Sequence, residues 1–148
     1  MYFVDRKLME KRLNYYEEIM GDFSKIKSTD TAETRLAVER ICHMMIEVIM
    51  DVGNQMIDGF IMRDPGSYED IIHILADEKV LSKEEADALE ALIPWRKELL
   101  QNYTTINVTG MYDDFKNKSE ALINFPGKIR KYLENELGPV SAFLPQKD

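Results

Sequence analysis

The segment WRKELLQNYTTIN, Trp95 to Asn107, places Arg96, Gln101 and Tyr103 close together, with Lys97 beside the first. Arginine supplies a permanent cation, tyrosine a hydroxyl, and glutamine only neutral hydrogen bonds. The segment therefore offers charge and hydrogen bonding, but no group that titrates near neutral pH. Arg96 and Tyr103 are seven residues apart and share a face in an ideal helix. Gln101 lies about 140° away from Arg96 on the same wheel. The three converge only if the helix loosens near its end or if a second chain completes the site. From residue type alone, Arg96 is an ion-pair partner and Tyr103 a packed aromatic with a wet hydroxyl.

A second constellation lies upstream, in AVERICHMMIEVIMDVGNQMIDGF. With Glu47 as origin and about 100° per residue, Arg40, His43, Asp51, Asn54 and Asp58 all fall within about 40° of it. The rest of the circumference is mostly apolar, so the polar stripe is narrower than that of an ordinary surface helix. One reading is a solvated stripe with weak surface pairs. The other places it in a groove or at a subunit interface. There Glu47 and Asp51 need a cation, because an unpaired buried carboxylate is costly. Arg96 is a candidate for that cation.

The remaining reactive side chains are structural candidates. Cys42 sits in the apolar run ICHMMIEVIM, which points to a buried, inert thiol. His43 and His73 form no HxxxH or cysteine-containing ligand set, so no metal site is indicated. GFIMRDPG lacks the glycine spacing and the GK[ST] end of a phosphate loop.

The elements that must carry these residues read as helical almost throughout. Val4 to Phe23 has apolar residues near a 3.6 period. Asp30 with Glu33 resembles a capping box and opens a long second helix that runs to about Phe60. RDPGS is a turn, followed by a short helix capped by Ser67 and Asp70. Ser82 and Glu85 form a capping box for the next helix. Pro94 should break that helix and suit the start of a new segment, which ends near Tyr103. A last helix is expected from Met111 to Leu137, interrupted at Pro126-Gly127. These spans predict an all-α antiparallel bundle of about five helices, in one domain over residues 1–138 with a loose tail at 139–148.

Composition narrows the function classes. The chain has 148 residues, 45% of them hydrophobic, enough for a real core. No apolar run approaches the roughly 18–20 residues of a membrane span. The N-terminus has early charges and no apolar stretch of the signal-peptide kind. A single cysteine fits a reducing cytoplasm. The net charge of −8 disfavours indiscriminate nucleic-acid binding but leaves room for a local basic site.

RKELLQNY resembles the R-x4-H-x-Y signature of HepT-like toxins, a branch of the HEPN all-α superfamily. AVERICHMMIEVIMDVGNQMI resembles that family's central helix, with its Asp-x-x-Asn pair at Asp51 and Asn54. DPGSYEDIIHILADEKVLSKEEADALEALIPWR resembles the connecting segment. The resemblance implies a homodimeric, metal-independent endoribonuclease without a cofactor, in a type VII toxin–antitoxin pair. Its partner would be an MNT-type nucleotidyltransferase antitoxin that transfers AMP to the signature tyrosine. Carried onto this chain, Arg96 would hold the scissile phosphate and Tyr103 would accept AMP. Asp51, Asn54, Glu47 and Lys97 would line or border the cleft.

One departure falls at the acid–base position, where Gln101 replaces the family histidine. RNA cleavage of this kind removes a proton from the 2′-hydroxyl and delivers one to the leaving 5′-oxygen. Histidine can do either near neutral pH. A glutamine amide can do neither. Lys97 stands where the family usually has asparagine, and adds a cation without replacing the base. Two functions are therefore expected as alternatives: a toxin with impaired or lost cleavage, or a non-catalytic dimer of the same fold that binds RNA, a nucleotide or a partner protein. A plain structural dimer, in which the stripe only specifies pairing, is a third.

Overall fold

The structure is a computed structural model and describes residues 4–136. Seven helices follow in order: α1 (Arg6–Lys25), α2 (Ala32–Gly59), α3 (Tyr68–Asp77), α4 (Lys83–Leu92), α5 (Trp95–Gln101), α6 (Val108–Asn117) and α7 (Ser119–Glu136). No strand occurs among the described residues, so the all-α expectation holds. The expected tail at 139–148 lies outside them. No described helix is long and apolar enough to cross a membrane.

Most of the boundaries follow from local chemistry. Ser67 caps α3 by accepting from the Asp70 amide, and Ser82 with Glu85 forms a reciprocal capping box on α4. Pro94, which cannot donate a backbone hydrogen bond, separates α4 from α5. Three expectations are corrected. The capping box on α2 is Thr31 with Thr34, one residue beyond the Asp30–Glu33 pair. The first helix begins at Arg6 because the Asp5 carboxylate accepts from the amides of Lys7 and Leu8. The C-terminal stretch divides at Lys118, whose φ of −106° and ψ of 19° leave the helix, and not at Pro126-Gly127. With α5 counted separately, this division gives seven helices instead of about five.

α7 runs through Pro126 because its local defect is repaired. Proline at position 126 has no N–H for the carbonyl one turn back, that of Leu122. The hydroxyl of fully buried Tyr16, from α1, donates to that carbonyl at 2.7 Å. Its ring also packs against Phe125, with centroids 5.7 Å apart. A proline that reads as a helix break in sequence thus becomes a docking point between α1 and α7.

α2 is the central element and packs against α1, α3, α5 and α6. That explains its nearly all-round apolar surface: Ile41, Met45, Ile46, Val48, Ile49 and Val52 are all buried. Gly53 permits a close approach to α3, since a Cβ built there would lie 2.5 Å from a methyl of Ile71. The close packing brings α3, and Tyr68 at its start, alongside α2.

Candidate functional site

α5 is a seven-residue helix held at both flanks. At its start the Trp95 indole donates to Asp114 of α6 at 2.8 Å. Asp114 also pairs with Lys118. Burial raises the Asp114 pKa, but the bonds from Lys118 and Trp95 outweigh it and hold the carboxyl below its ordinary range. This anchor fixes the rotation of α5 and turns the next residue, Arg96, toward α2.

Arg96 meets the polar stripe at its middle. Its Nε donates to Oε1 of Glu47 at 2.7 Å. The guanidinium carbon lies 4.8 Å from the centroid of the Tyr68 ring, a cation–π contact. The bond to Glu47 is the chief reason the Arg96 pKa rises, against the effect of burial. The same Oε1 of Glu47 lies 3.1 Å from Nε2 of His43. Arg96, Glu47 and His43 are each about a quarter exposed, at 26%, 22% and 25% for their side chains. They form a half-buried cluster with Glu47 at its centre, and Arg96 is the cation that the stripe required.

The two readings of the stripe apply to different parts of it. Arg40, Asn54 and Asp58 are exposed, as a solvated face requires. Asp51 is half exposed and pairs with Arg12 of α1 at 3.8 Å. His43 and Glu47 are the more deeply buried part, about three-quarters covered. Glu47, Asp51, Asn54 and Asp58 follow one another along α2, whereas Lys97 lies on α5.

The remainder of the signature is not gathered around Arg96. α5 ends at Gln101, and the Asn102 amide closes it by donating to Glu98. Lys97, Gln101 and Tyr103 are exposed, Tyr103 at 66%. Tyr103 borders a shallow hollow with Arg35, Leu36 and Glu39 of α2 and with Ile106 and Asn107. Glu39 and Glu47 are eight residues apart, about 12 Å along a helix. Within one chain, Arg96 and Tyr103 therefore border different stretches of α2. Among the described residues no hydrogen bond or ion pair joins Gln101 or Tyr103 to Arg96.

Several contributors had no sequence signal. Tyr68 follows a turn and carries no periodic mark, yet it lies against the Arg96 guanidinium. Arg12 reaches Asp51 across a helix pair that spacing alone does not reveal. The Trp95–Asp114 bond spans 19 positions. His73 is a surface residue bonded to Glu90 at 2.7 Å. Cys42 is fully buried, and burial pushes its thiol far above the ordinary range, so it is not nucleophilic. Among the described residues no three His, Cys, Asp or Glu side chains gather to hold a metal ion.

Comparisons with known proteins bear on this geometry. The model of the family described as ribonuclease HepT-like matches residues 9–129. A curated relative, "Putative RNase YutE" of Bacillus subtilis (strain 168), is 50% identical over 143 residues, covering 97% of this chain and 99% of the relative. The solved structure of YutE, described as a cytosolic protein, superposes with a TM-score of 0.89 over 97% of this chain and 100% of that one. At 16% identity, a tri-AMPylated Shewanella oneidensis HEPN toxin in complex with an MNT antitoxin shares the fold, with a TM-score of 0.64 over 83% of this chain and 91% of that one.

Proposed function

This chain belongs to the ribonuclease HepT-like family, and we propose that it is a cytoplasmic toxin of that kind whose RNA cleavage is impaired by Gln101. In this reading it is one half of a type VII toxin–antitoxin pair. The observation that carries it is the placement of Arg96. It is held by Glu47 and Tyr68 on an open helix face, with Asp51 and Asn54 further along the same face. A guanidinium held this way is a preorganised phosphate ligand, and Lys97 beside it adds a second cation. The step that lacks a partner at the signature position is proton transfer. The reading is tested by incubating the purified protein with RNA in the presence of a chelator. Slow strand scission that Gln101→His accelerates is the expected result.

The active form is a homodimer. Arg96 and Tyr103 border different stretches of α2 in one chain, so two chains are needed to face both toward one cleft. Leu36, Leu100 and Tyr103 are large and exposed, at 65%, 44% and 66%, and offer apolar surface for a second copy. Sedimentation equilibrium at micromolar concentration should give twice the chain mass. A monomer would remove the shared cleft.

The partner is an MNT-type nucleotidyltransferase that transfers AMP to Tyr103. The exposed hydroxyl suits an acceptor, and the transfer needs no base at Gln101. Co-expression with a cognate nucleotidyltransferase should add the mass of AMP to the intact protein. The increase should vanish in Tyr103→Phe, and one that persists would exclude this tyrosine. A second reading, a non-catalytic dimer that binds RNA, a nucleotide or a partner, is favoured by the exposed amide at Gln101 itself. It is distinguished by Arg96→Ala changing RNA binding with no turnover to lose.

A further inference from the structure

We propose that His43, oriented by Glu47, is the general base for the residual RNA cleavage of this chain and supplies from α2 what Gln101 cannot supply from α5. The inference rests on the ribonuclease reading above. Three observations carry it. First, one oxygen of Glu47 bridges the ring of His43 and the guanidinium of Arg96, at 3.1 and 2.7 Å. Nε2 of His43 and Nε of Arg96 are therefore no farther apart than these two bonds laid end to end, and Nδ1 lies across the same ring, one carbon beyond Nε2. Second, the bridge sets the tautomer. A carboxylate at neutral pH only accepts, so Nε2 carries the proton and Nδ1 carries the lone pair. Among the described residues Nδ1 has no hydrogen-bond partner. Third, the ring is about a quarter exposed on the same face as Arg96, so it is reachable.

The other titratable groups nearby fit the role less well. Glu47 already shares one oxygen between two nitrogen donors. Asp51 is already paired with Arg12 at 3.8 Å. His73 is tied to Glu90 on a different helix pair.

The step balances without an added reagent. The 2′-O–H bond breaks and its proton passes to Nδ1 of His43. The 2′-oxygen forms a bond to phosphorus while the P–O5′ bond breaks, and its electron pair stays on the 5′-oxygen. That oxygen takes a proton from water, and the hydroxide so formed recovers the proton from His43. The products are a 2′,3′-cyclic phosphate and a 5′-hydroxyl. Arg96 offsets the charge on the phosphoryl oxygens. Glu47 is a positioning residue, which holds the ring through its contact with Nε2.

The experiment uses the full-length protein, a chelator and a 5′-labelled RNA. Arg96→Ala, prepared identically, measures the background. His43→Gln keeps an amide donor for Glu47 but has no second ring nitrogen. It should fold with an unchanged melting temperature and lose at least tenfold of the cleavage above background. His43→Ala should lose as much and regain activity with added imidazole, whereas Arg96→Ala with imidazole should not. Such rescue reports the missing base, which a merely structural histidine would not show. Cleavage by His43→Gln at the natural rate would overturn the proposal. So would the absence of imidazole rescue, or the absence of any cleavage by the natural protein. In that last case Gln101→His separates the two readings. If it cuts RNA, the ribonuclease reading stands and only the role of His43 falls.

Discussion

Arg96→Ala should abolish RNA turnover in the natural protein and also in a Gln101→His variant. The guanidinium is the one cation of the signature that the fold holds in place, through Glu47 at 2.7 Å and the Tyr68 ring at 4.8 Å. Transition-state charge on the phosphoryl group needs a fixed donor, and removing one such donor typically lowers the rate about 10²–10³-fold. Lysine should rescue little, because a point ammonium lacks the flat fork that can serve Glu47 and a phosphate together. Stability should change far less. The pair is partly exposed, so solvent screening keeps its net worth to roughly 0.2–1 kcal/mol. Glu47 also retains His43 as a neighbour. Turnover on labelled RNA and a thermal melt, run on the same preparation, separate these effects. An unfolded Arg96→Ala protein, or one with full turnover, would contradict this assignment.

Tyr16→Phe should destabilise the fold by about 1–3 kcal/mol, the usual cost of leaving one buried polar group unpaired. The ring would still fill its space and still meet Phe125. What disappears is the hydroxyl that donates to the Leu122 carbonyl, one turn before Pro126. Tyr16→Ala adds a cavity to the orphaned carbonyl, and losses of about 3–5 kcal/mol are typical for aromatic truncations alone. A companion change sharpens the test. Pro126→Ala restores an N–H one turn after Leu122, so Tyr16→Phe should cost less in that background. Urea titrations of the four proteins form a double-mutant cycle. Strict additivity would show that the hydroxyl does not compensate for the proline.

The helical class, the capping boxes at Ser82 and the break at Pro94 were legible because each rests on contacts within a few residues. The division at Lys118 and the continuity through Pro126 were not, since the second depends on Tyr16, more than a hundred positions away. The site divides similarly. The polar stripe follows from helical spacing, and Glu47 needed a cation by elementary electrostatics, so its pairing with Arg96 was foreseeable. Tyr68 and Arg12 were not, because their contacts depend on how α3 and α1 lie against α2. Tyr103 shared a face with Arg96 only on an ideal helix, and α5 ends before reaching it. Gln101, at the position where the resemblance expects a histidine, is legible in the sequence, but what stands near it in space is not.

The most direct measurement is the metal-free cleavage rate of one RNA by the natural protein and by Gln101→His. A positioned acid–base group contributes typically about 10²–10⁴-fold. If the cleft is intact and lacks only that group, Gln101→His should cut faster by a factor in this range, with Arg96→Ala inactive in both backgrounds. Equal rates, or two inert proteins, would contradict the claim that this chain is a ribonuclease impaired at a single position.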